Sequence, residues 1–231
     1  MRIILGILIG LVLAAAIAAG AAYYAFGPLL DVSERDRSED ITEQFEVADF
    51  DGVEIGGIFD FEITTGGDFA VTISGPENAF RELEVGVEGG TLSVDQSSIE
   101  INGKRRWRDA GMTVEVTLPE LRRLDVSGVA DGRVTGIDSD YFLVDASGIS
   151  DITLSGRCRK LEAQLSGLGD LDAQGLRCEN ADVAVSGLGE AKIFASESAD
   201  AAVYGLGSVE IYGDPKRVEK QTSFLSDISI Q

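Results

Sequence analysis

The sequence predicts an all-β protein built as a solenoid, with one apolar helix at its N-terminus. Three observations support this: an uncharged N-terminal run, short alternating strands from Phe45 onward, and a repeat in the second half of the chain. The repeat is the most informative of the three. A fixed period near 19 residues is typical of units that cannot bury their own apolar face and must stack on their neighbours.

The N-terminal run, Ile3–Leu30, carries no charged residue. About 20 residues suffice to cross a bilayer as a helix. A cleaved secretory signal is the alternative, with an apolar region of ~7–15 residues and a small-residue cleavage site, for which Ala19-Gly20-Ala21 would serve. The length favours an uncleaved transmembrane anchor over residues 1–30 that contacts the membrane through residues 3–26. Cleavage stays open.

Charge predicts how the anchor is oriented. Arg2 precedes the apolar run, whereas the residues after it are mixed and mostly acidic. The positive-inside tendency therefore predicts that the C-terminal bulk lies on the extracytoplasmic side. Residues 31–44 (DVSERDRSEDITEQ) are polar and charged, which predicts an exposed tether.

Residues 45–231 are predicted to form the solenoid, with less regular coils over 45–120 and regular repeats over 121–231. Helical periodicity is almost absent there, and glycine pairs mark turns between short strands. An antiparallel meander is the alternative, but it would need hairpins of alternating geometry, whereas each turn here has the same chemistry at the same phase. The repeated turns are Ser127-Gly128-Val129-Ala130-Asp131, Ser147-Gly148-Ile149-Ser150-Asp151, Ser166-Gly167-Leu168-Gly169-Asp170, Ser186-Gly187-Leu188-Gly189-Glu190, Tyr204-Gly205-Leu206-Gly207-Ser208 and Ser223-Phe224-Leu225-Ser226-Asp227.

Composition excludes several function classes. The 40 acidic and 19 basic residues give a formal charge of −21, which disfavours nucleic-acid binding because phosphate neutralisation needs surplus Lys and Arg. The chain has no histidine, so His-based triads, His metal sites and imidazole bases are absent. The sequence predicts no catalytic residue and no cofactor.

The Ser-Gly-Leu-Gly turns, the Val114–Leu121 segment and the closing Tyr212-Gly213-Asp214-Pro215 resemble the putative auto-transporter adhesin head GIN domain family. The resemblance covers about Phe45–Gln231. It implies a right-handed parallel β-helix on bacterial envelope proteins, with an adhesin-like role and no catalytic residues to transfer. The chain departs from the repeat at Tyr204 and Phe224, so those coils are expected to turn differently.

Acidic residues recur at the end of the turns and would form a column if the coils stack in register. Like charges ~5 Å apart repel by about 0.8 kcal/mol in water, and such a column could recruit Ca²⁺. The alternative, which we favour, is a set of solvated turn residues that bond to nearby backbone N–H groups and hold no metal. The residues are Asp131, Asp151, Asp170 and Glu190.

Two further groups are candidate site residues. Cys158 and Cys178 lie one coil apart, which leaves open a disulfide between adjacent rungs or a pair of stacked thiols. The basic run Lys104, Arg105, Arg106, Trp107 and Arg108 is expected to form a loop between strands. It is either a solvated hairpin or a ligand loop whose Trp107 stacks on a sugar.

We expect a non-catalytic binding, adhesion-like or scaffolding module of the bacterial cell envelope, anchored in a membrane with its domain on the extracytoplasmic side. The partners that fit are a glycan or an envelope protein. A polysaccharide-active β-helix enzyme and a periplasmic sensor that contacts another membrane protein are the alternatives. A monomer is expected, because Phe224 and Leu225 could plug the last coil, although end-to-end stacking of two copies stays open.

Overall fold

The computed structural model describes residues 39–96, 99–101, 104–106, 111–223 and 225–231. The predicted anchor, its membrane contact through residues 3–26, most of the tether and Phe224 lie outside the described residues. Within the described ranges, no helix is long and apolar enough to span a bilayer. The all-β prediction is confirmed, since the described chain is almost entirely strand with a single short 3-10 helix at Ala79–Glu82.

The described residues form fourteen strands. They are β1 (Asp40–Phe45), β2 (Gly52–Thr65), β3 (Ala70–Pro76), β4 (Leu83–Glu88), β5 (Thr91–Gln96), β6 (Ile99–Ile101), β7 (Lys104–Arg106), β8 (Met112–Leu118), β9 (Arg123–Leu165), β10 (Leu171–Val185), β11 (Leu188–Val203), β12 (Leu206–Tyr212), β13 (Arg217–Thr222) and β14 (Asp227–Ile230). All but β6 and β7 belong to one mixed sheet.

From β9 to the C-terminus the strands of the described chain pair with one another in parallel, and residues paired among these strands lie 17 to 20 positions apart in the sequence. Leu161 pairs with Ala181, Ala181 with Ala199, and Ala199 with Val218. The same offset links β11 to β12 and β12 to β14. The residue offset in the ladder therefore matches the period of the sequence repeat.

The first part of the domain departs from this pattern. β2 is parallel to β5, β8 and β9, but β3 is antiparallel to both β1 and β8, and β4 is antiparallel to β5. We expected less regular coils over residues 45–120, but this region combines parallel strands with antiparallel pairs. The chain reverses at tight glycine turns such as Gly89-Gly90, where φ is positive at both residues, and these reversals make hairpins rather than coils.

The predicted tether also ends too late. Residues from Asp40 to Gln44 belong to β1, which pairs with β3 through Asp40 and Pro76 at one end and Phe45 and Val71 at the other. The side chains of these residues are mainly exposed and polar. An edge strand of this composition has the same sequence pattern as a solvated linker, which is why the prediction placed these residues in the tether.

The core lies between the inward faces of the strands and consists of aliphatic and small side chains. Alternating residues of each strand are buried, as in β10, where Ala181, Val183 and Val185 are buried between exposed or half-buried neighbours. A shift of one residue would expose that set, so the apolar alternation fixes the register of every parallel rung. Residues one repeat apart are therefore placed beside one another on adjacent rungs of the ladder.

Candidate functional site

The Ser-Gly turns stack into a corner that has no room for side chains. We call this the glycine corner, and it consists of Gly128, Gly148, Gly167, Gly187 and Gly205. A Cβ on any of them would overlap the backbone carbonyl of the glycine one coil earlier, beginning with Gly57 of β2. Such overlap cannot be relieved by rotating a side chain, so glycine is required at each coil.

Positive φ explains only the early glycines of this corner. Gly128 and Gly148 have φ of 120° and 112°, as expected for turns that favour glycine. Gly167, Gly187 and Gly205 do not have φ in that region. Positive φ therefore does not account for glycine in the later coils, where contact between backbones is the reason.

The acidic residues of the turns contact the next coil. Asp131 Oδ1 accepts a hydrogen bond from the backbone N–H of Asp151 at 3.3 Å, and Asp151 Oδ1 accepts one from Asp170 at 3.0 Å. Asp170 Oδ1 accepts one from Glu190 at 2.8 Å. We call these four residues the acidic column. Its carboxylates cap backbone donors, which is the local bonding that turn aspartates favour.

The described residues contain no cluster of three or more His, Cys, Asp or Glu side chains with the arrangement of a metal site. The column presents one carboxylate per coil, and those of Asp131, Asp151 and Asp170 each accept a hydrogen bond from the backbone of the next coil.

The aliphatic residue at the centre of each turn points outward. Exposed fractions are 43% for Val129, 51% for Ile149, 46% for Leu168, 48% for Leu188 and 51% for Leu206. Backbone bridges join Ile149 to Leu168 and Leu168 to Leu188, and Leu188 pairs with Leu206. We call these five residues the aliphatic ridge. At ~4.8 Å per rung the ridge is about 19 Å long.

Glycines border the ridge, and the acidic column runs beside it. Gly167 and Gly169 flank Leu168, as Gly187 and Gly189 flank Leu188, so no Cβ stands next to these leucines along the chain. Monomeric proteins seldom expose apolar side chains in a continuous line, whereas isolated exposed ones are common. The ridge contains five of the ten large hydrophobic side chains that are exposed among the described residues.

Sequence reasoning missed the ridge. It treated Ser-Gly-Leu-Gly as a turn signature and assigned no role to the leucine. The available clue was the restriction of the middle residue to Val, Ile or Leu in all six turns, in a position where turns ordinarily tolerate polar residues.

The second corner contains a disulfide between Cys158 and Cys178. Their Cα atoms are 4.5 Å apart, and the two residues are partners in the parallel ladder between β9 and β10. Both cysteines are buried. Of the two arrangements that the sequence left open, the structure has the disulfide. We call this the disulfide corner.

A groove with a volume of about 840 Å³ lies over the disulfide corner. We call it the arginine groove, because four arginines line it together with acidic and aromatic side chains. Its lining includes Glu120, Arg122, Asp138, Ser139, Asp140, Tyr141, Arg157, Arg159, Arg177, Glu179 and Phe194, with Cys158 and Cys178. None of these residues except the cysteines was predicted as a site residue.

Three of the four arginines form ion pairs with carboxylates. Arg157 binds both carboxylate oxygens of Asp138, at 2.8 and 2.6 Å, and Arg159 lies 3.1 Å from Asp140. Arg122 binds both oxygens of Glu120, at 2.9 and 3.1 Å. The hydrogen bonds from Arg157 hold the pKa of Asp138 below its ordinary value of 3.8.

Arg177 differs from these three. Its guanidinium lies over the ring of Phe194, 4.2 Å from the centroid, and within the described part of the chain it forms no ion pair with a carboxylate. Arg177 is exposed and pairs in the ladder with Arg157, so two guanidinium-bearing residues occupy adjacent rungs.

The groove also contains two notable hydroxyl groups. Tyr141 donates to Glu162 at 2.6 Å, and this hydrogen bond raises the pKa of Tyr141 above its ordinary value of 10.0. Ser139 is 8% exposed, and its buried Oγ has no hydrogen-bond partner within the described residues. Buried hydroxyls are ordinarily bonded, so Ser139 marks an unsatisfied polar group at the groove.

The predicted basic segment is described only in part. Lys104–Arg106 form β7, which pairs antiparallel with β6 (Ile99–Ile101) in a separate two-stranded sheet. Trp107 and Arg108 lie outside the described residues. The roles predicted for Lys104, Arg105, Arg106, Trp107 and Arg108 stay predictions.

The comparison with family models gives a match over most of the chain. The family model described as "Putative auto-transporter adhesin, head GIN domain" matches residues 49–215. The curated proteins contain no match to this chain.

Solved structures show the same fold. A putative adhesin from Bacteroides fragilis NCTC 9343 superposes with a TM-score of 0.66 at 24% identity, over 84% of this chain and 97% of that one. A protein named as a putative lipid binding protein, from Parabacteroides distasonis ATCC 8503, gives 0.55 at 18% identity over 84% and 98%. A putative adhesin from the same organism gives 0.51 at 17% over 84% and 98%. At these identities the likeness extends to the fold alone.

Proposed function

Because the chain belongs to the family of the putative auto-transporter adhesin head GIN domain, we propose that it is a non-catalytic, adhesion-like binding module of the bacterial cell envelope. Its domain is a right-handed parallel β-helix, and the parallel ladders with their 17- to 20-residue offset support this. The apolar run over residues 3–26 anchors it in a membrane, with the domain on the extracytoplasmic side.

The aliphatic ridge is the observation that carries the proposal. It repeats one outward aliphatic side chain per coil at a fixed spacing, which makes a straight apolar line bordered by glycines. An isolated exposed leucine would need no explanation, but five in register form a surface that association with a partner would bury.

The acidic column indicates what kind of partner fits. Asp131, Asp151, Asp170 and Glu190 run parallel to the ridge, so an apolar ligand must also tolerate a line of negative charge. We commit to an envelope protein that presents apolar side chains flanked by Lys or Arg. An anionic lipid surface is disfavoured, although one structural neighbour is named as lipid binding, because its headgroups would be repelled.

Site-specific photocrosslinking in cells that produce the full chain tests the proposal. A benzophenone amino acid replaces Leu188 on the ridge or, as the matched control, Val87, which is 37% exposed on β4. We expect Leu188 but not Val87 to crosslink one envelope protein. Leu168→Ser should abolish the adduct, and Asp151→Asn with Asp170→Asn should weaken it and reduce its dependence on salt.

Other outcomes contradict the proposal. Adducts with lipid alone would assign the ridge to a membrane surface, and equal adducts from Leu188 and Val87 would remove its special role. Reproducible cleavage of envelope polysaccharide by the purified full chain, lost on substitution of a carboxylate, would establish an enzyme instead. A crosslinked membrane protein whose signalling output changes in Leu168→Ser would favour the sensor alternative.

A further inference from the structure

The arginine groove has the chemistry of a saccharide site, and we propose that it binds a saccharide carrying a single carboxylate, such as a uronic acid residue. This goes beyond the proposed function, because the groove lies over the disulfide corner and shares no residue with the aliphatic ridge. Its volume of about 840 Å³ falls within the range of small-ligand clefts, roughly 300–1,000 Å³.

Arg177 is the group that would recognise the carboxylate. Its guanidinium lies over the ring of Phe194, 4.2 Å from the centroid, and within the described residues its N–H groups form no ion pair with a carboxylate. A carboxylate matches the N–H edge of a guanidinium with two parallel hydrogen bonds, and an Arg positioned in advance loses less entropy on binding. The guanidinium groups of the other three arginines of the groove are already paired with the carboxylates of Asp138, Asp140 and Glu120.

The remaining polar groups fit sugar hydroxyls. Asp138, Asp140 and Glu120 keep lone pairs beyond those bound by arginine, and Glu179 lines the same wall, so the groove offers several acceptors close to its donors. A ligand whose hydroxyls both donate and accept satisfies such a wall, whereas an apolar ligand would leave its charges desolvated and unpaired.

The net charge of the chain and the rigidity of the groove wall further restrict the class of ligand that the groove can bind. The chain carries a net charge of −21, so a densely charged polyanion would be repelled, whereas one carboxylate opposite Arg177 is compensated locally. The disulfide links the two rungs that carry Arg157 and Arg177, which fixes the spacing of the groove wall. A rigid wall suits a ligand that is itself a stiff ring.

Calorimetric titration of the full chain in detergent tests the proposal with a matched pair of probes, cellobiouronic acid and cellobiose, which differ in one carboxylate. We expect the acid to bind more tightly. Arg177→Met should weaken acid binding by about ten- to a hundred-fold, the value of a lost charge-assisted pair, and leave cellobiose unchanged. Phe194→Leu should weaken the acid in the same direction because it removes the platform under Arg177.

Arg133→Met is the control, since Arg133 is exposed outside the groove and its loss changes the net charge equally. It should bind like the parent chain. The proposal is overturned if Arg133→Met weakens binding as much as Arg177→Met, if both probes bind equally, or if the acid gives no heat at ~10 mM, a concentration above the Kd of even weak specific sites. Circular dichroism verifies that each variant is folded, and none of these results bears on the ridge.

Discussion

The glycine corner and the disulfide corner both bring successive coils into contact, but they use different chemistry. At the glycine corner, backbone lies directly on backbone, and glycine recurs in five successive coils. At the disulfide corner, side chains pair across rungs in different ways: a disulfide, bidentate ion pairs and an arginine on a phenylalanine ring. Close backbone contact at the glycine corner requires glycine in each of these coils. The side-chain pairs at the disulfide corner require only that each side chain finds a suitable partner on the next rung.

The comparison also separates two kinds of surface. The glycine corner leaves nothing for a ligand except its outward aliphatic side chains, which repeat as the ridge. The disulfide corner leaves a concave wall of donors and acceptors, whose ion pairs and aromatic contact differ from rung to rung. A repeating surface suits an extended partner, and a surface without repetition suits a small ligand that binds at one place.

The largest effect is expected at the glycine corner. Gly167→Ala should lower the free energy of unfolding by more than ~3 kcal/mol, because the new Cβ overlaps the carbonyl of Gly148 and backbone must move to relieve it. Gly86→Ala is the control, since a Cβ there meets nothing within 4 Å. Urea unfolding of both variants measures the difference. Equal stability would show that the corner tolerates side chains.

The second-largest loss of stability is expected at the disulfide corner. Replacing Cys158 and Cys178 together by serine should cost about 3 kcal/mol, because the crosslink closes a loop of 20 residues in the unfolded chain. Thermal melts with and without reductant measure this. The reductant should lower the melting temperature of the parent chain and leave that of the double variant unchanged, and a parent chain insensitive to reduction would contradict the role assigned to the crosslink.

A smaller effect is expected in the acidic column. Asp170→Asn should lower the free energy of unfolding by about 1 kcal/mol, because the acceptor of the Glu190 N–H loses its charge at an exposed site. Asp68→Asn, at an exposed residue away from the repeat, should be neutral. Chelator should not change the melting temperature of the parent chain. A drop of several degrees would mean that a bound cation, rather than backbone donors, holds the column.

The smallest expected effect is a change in the pKa of Tyr141, which lines the arginine groove. Its pKa is raised by the hydrogen bond to Glu162, so the contribution to stability is complete below pH 10 and is lost as the pH rises through the folded pKa. Glu162→Gln should shift the pKa of Tyr141 back toward 10.0 in an ultraviolet absorbance titration. Tyr212, whose pKa is raised by Glu210, serves as the unchanged reference.

The sequence by itself determined the all-β class, the family and the repeat at the glycine corner. Stacking forces the same residue into each coil, so that corner leaves a period that can be read directly, and the acidic column follows from the same register. The tertiary structure alone decided the rest. It showed that the central Val, Ile or Leu of each turn faces outward, that Asp40–Gln44 pair with β3, and that Arg177 meets Phe194. Each of these depends on which rung lies beside which and on which face a side chain takes, and those relations are set by packing between coils rather than by any pattern within one coil.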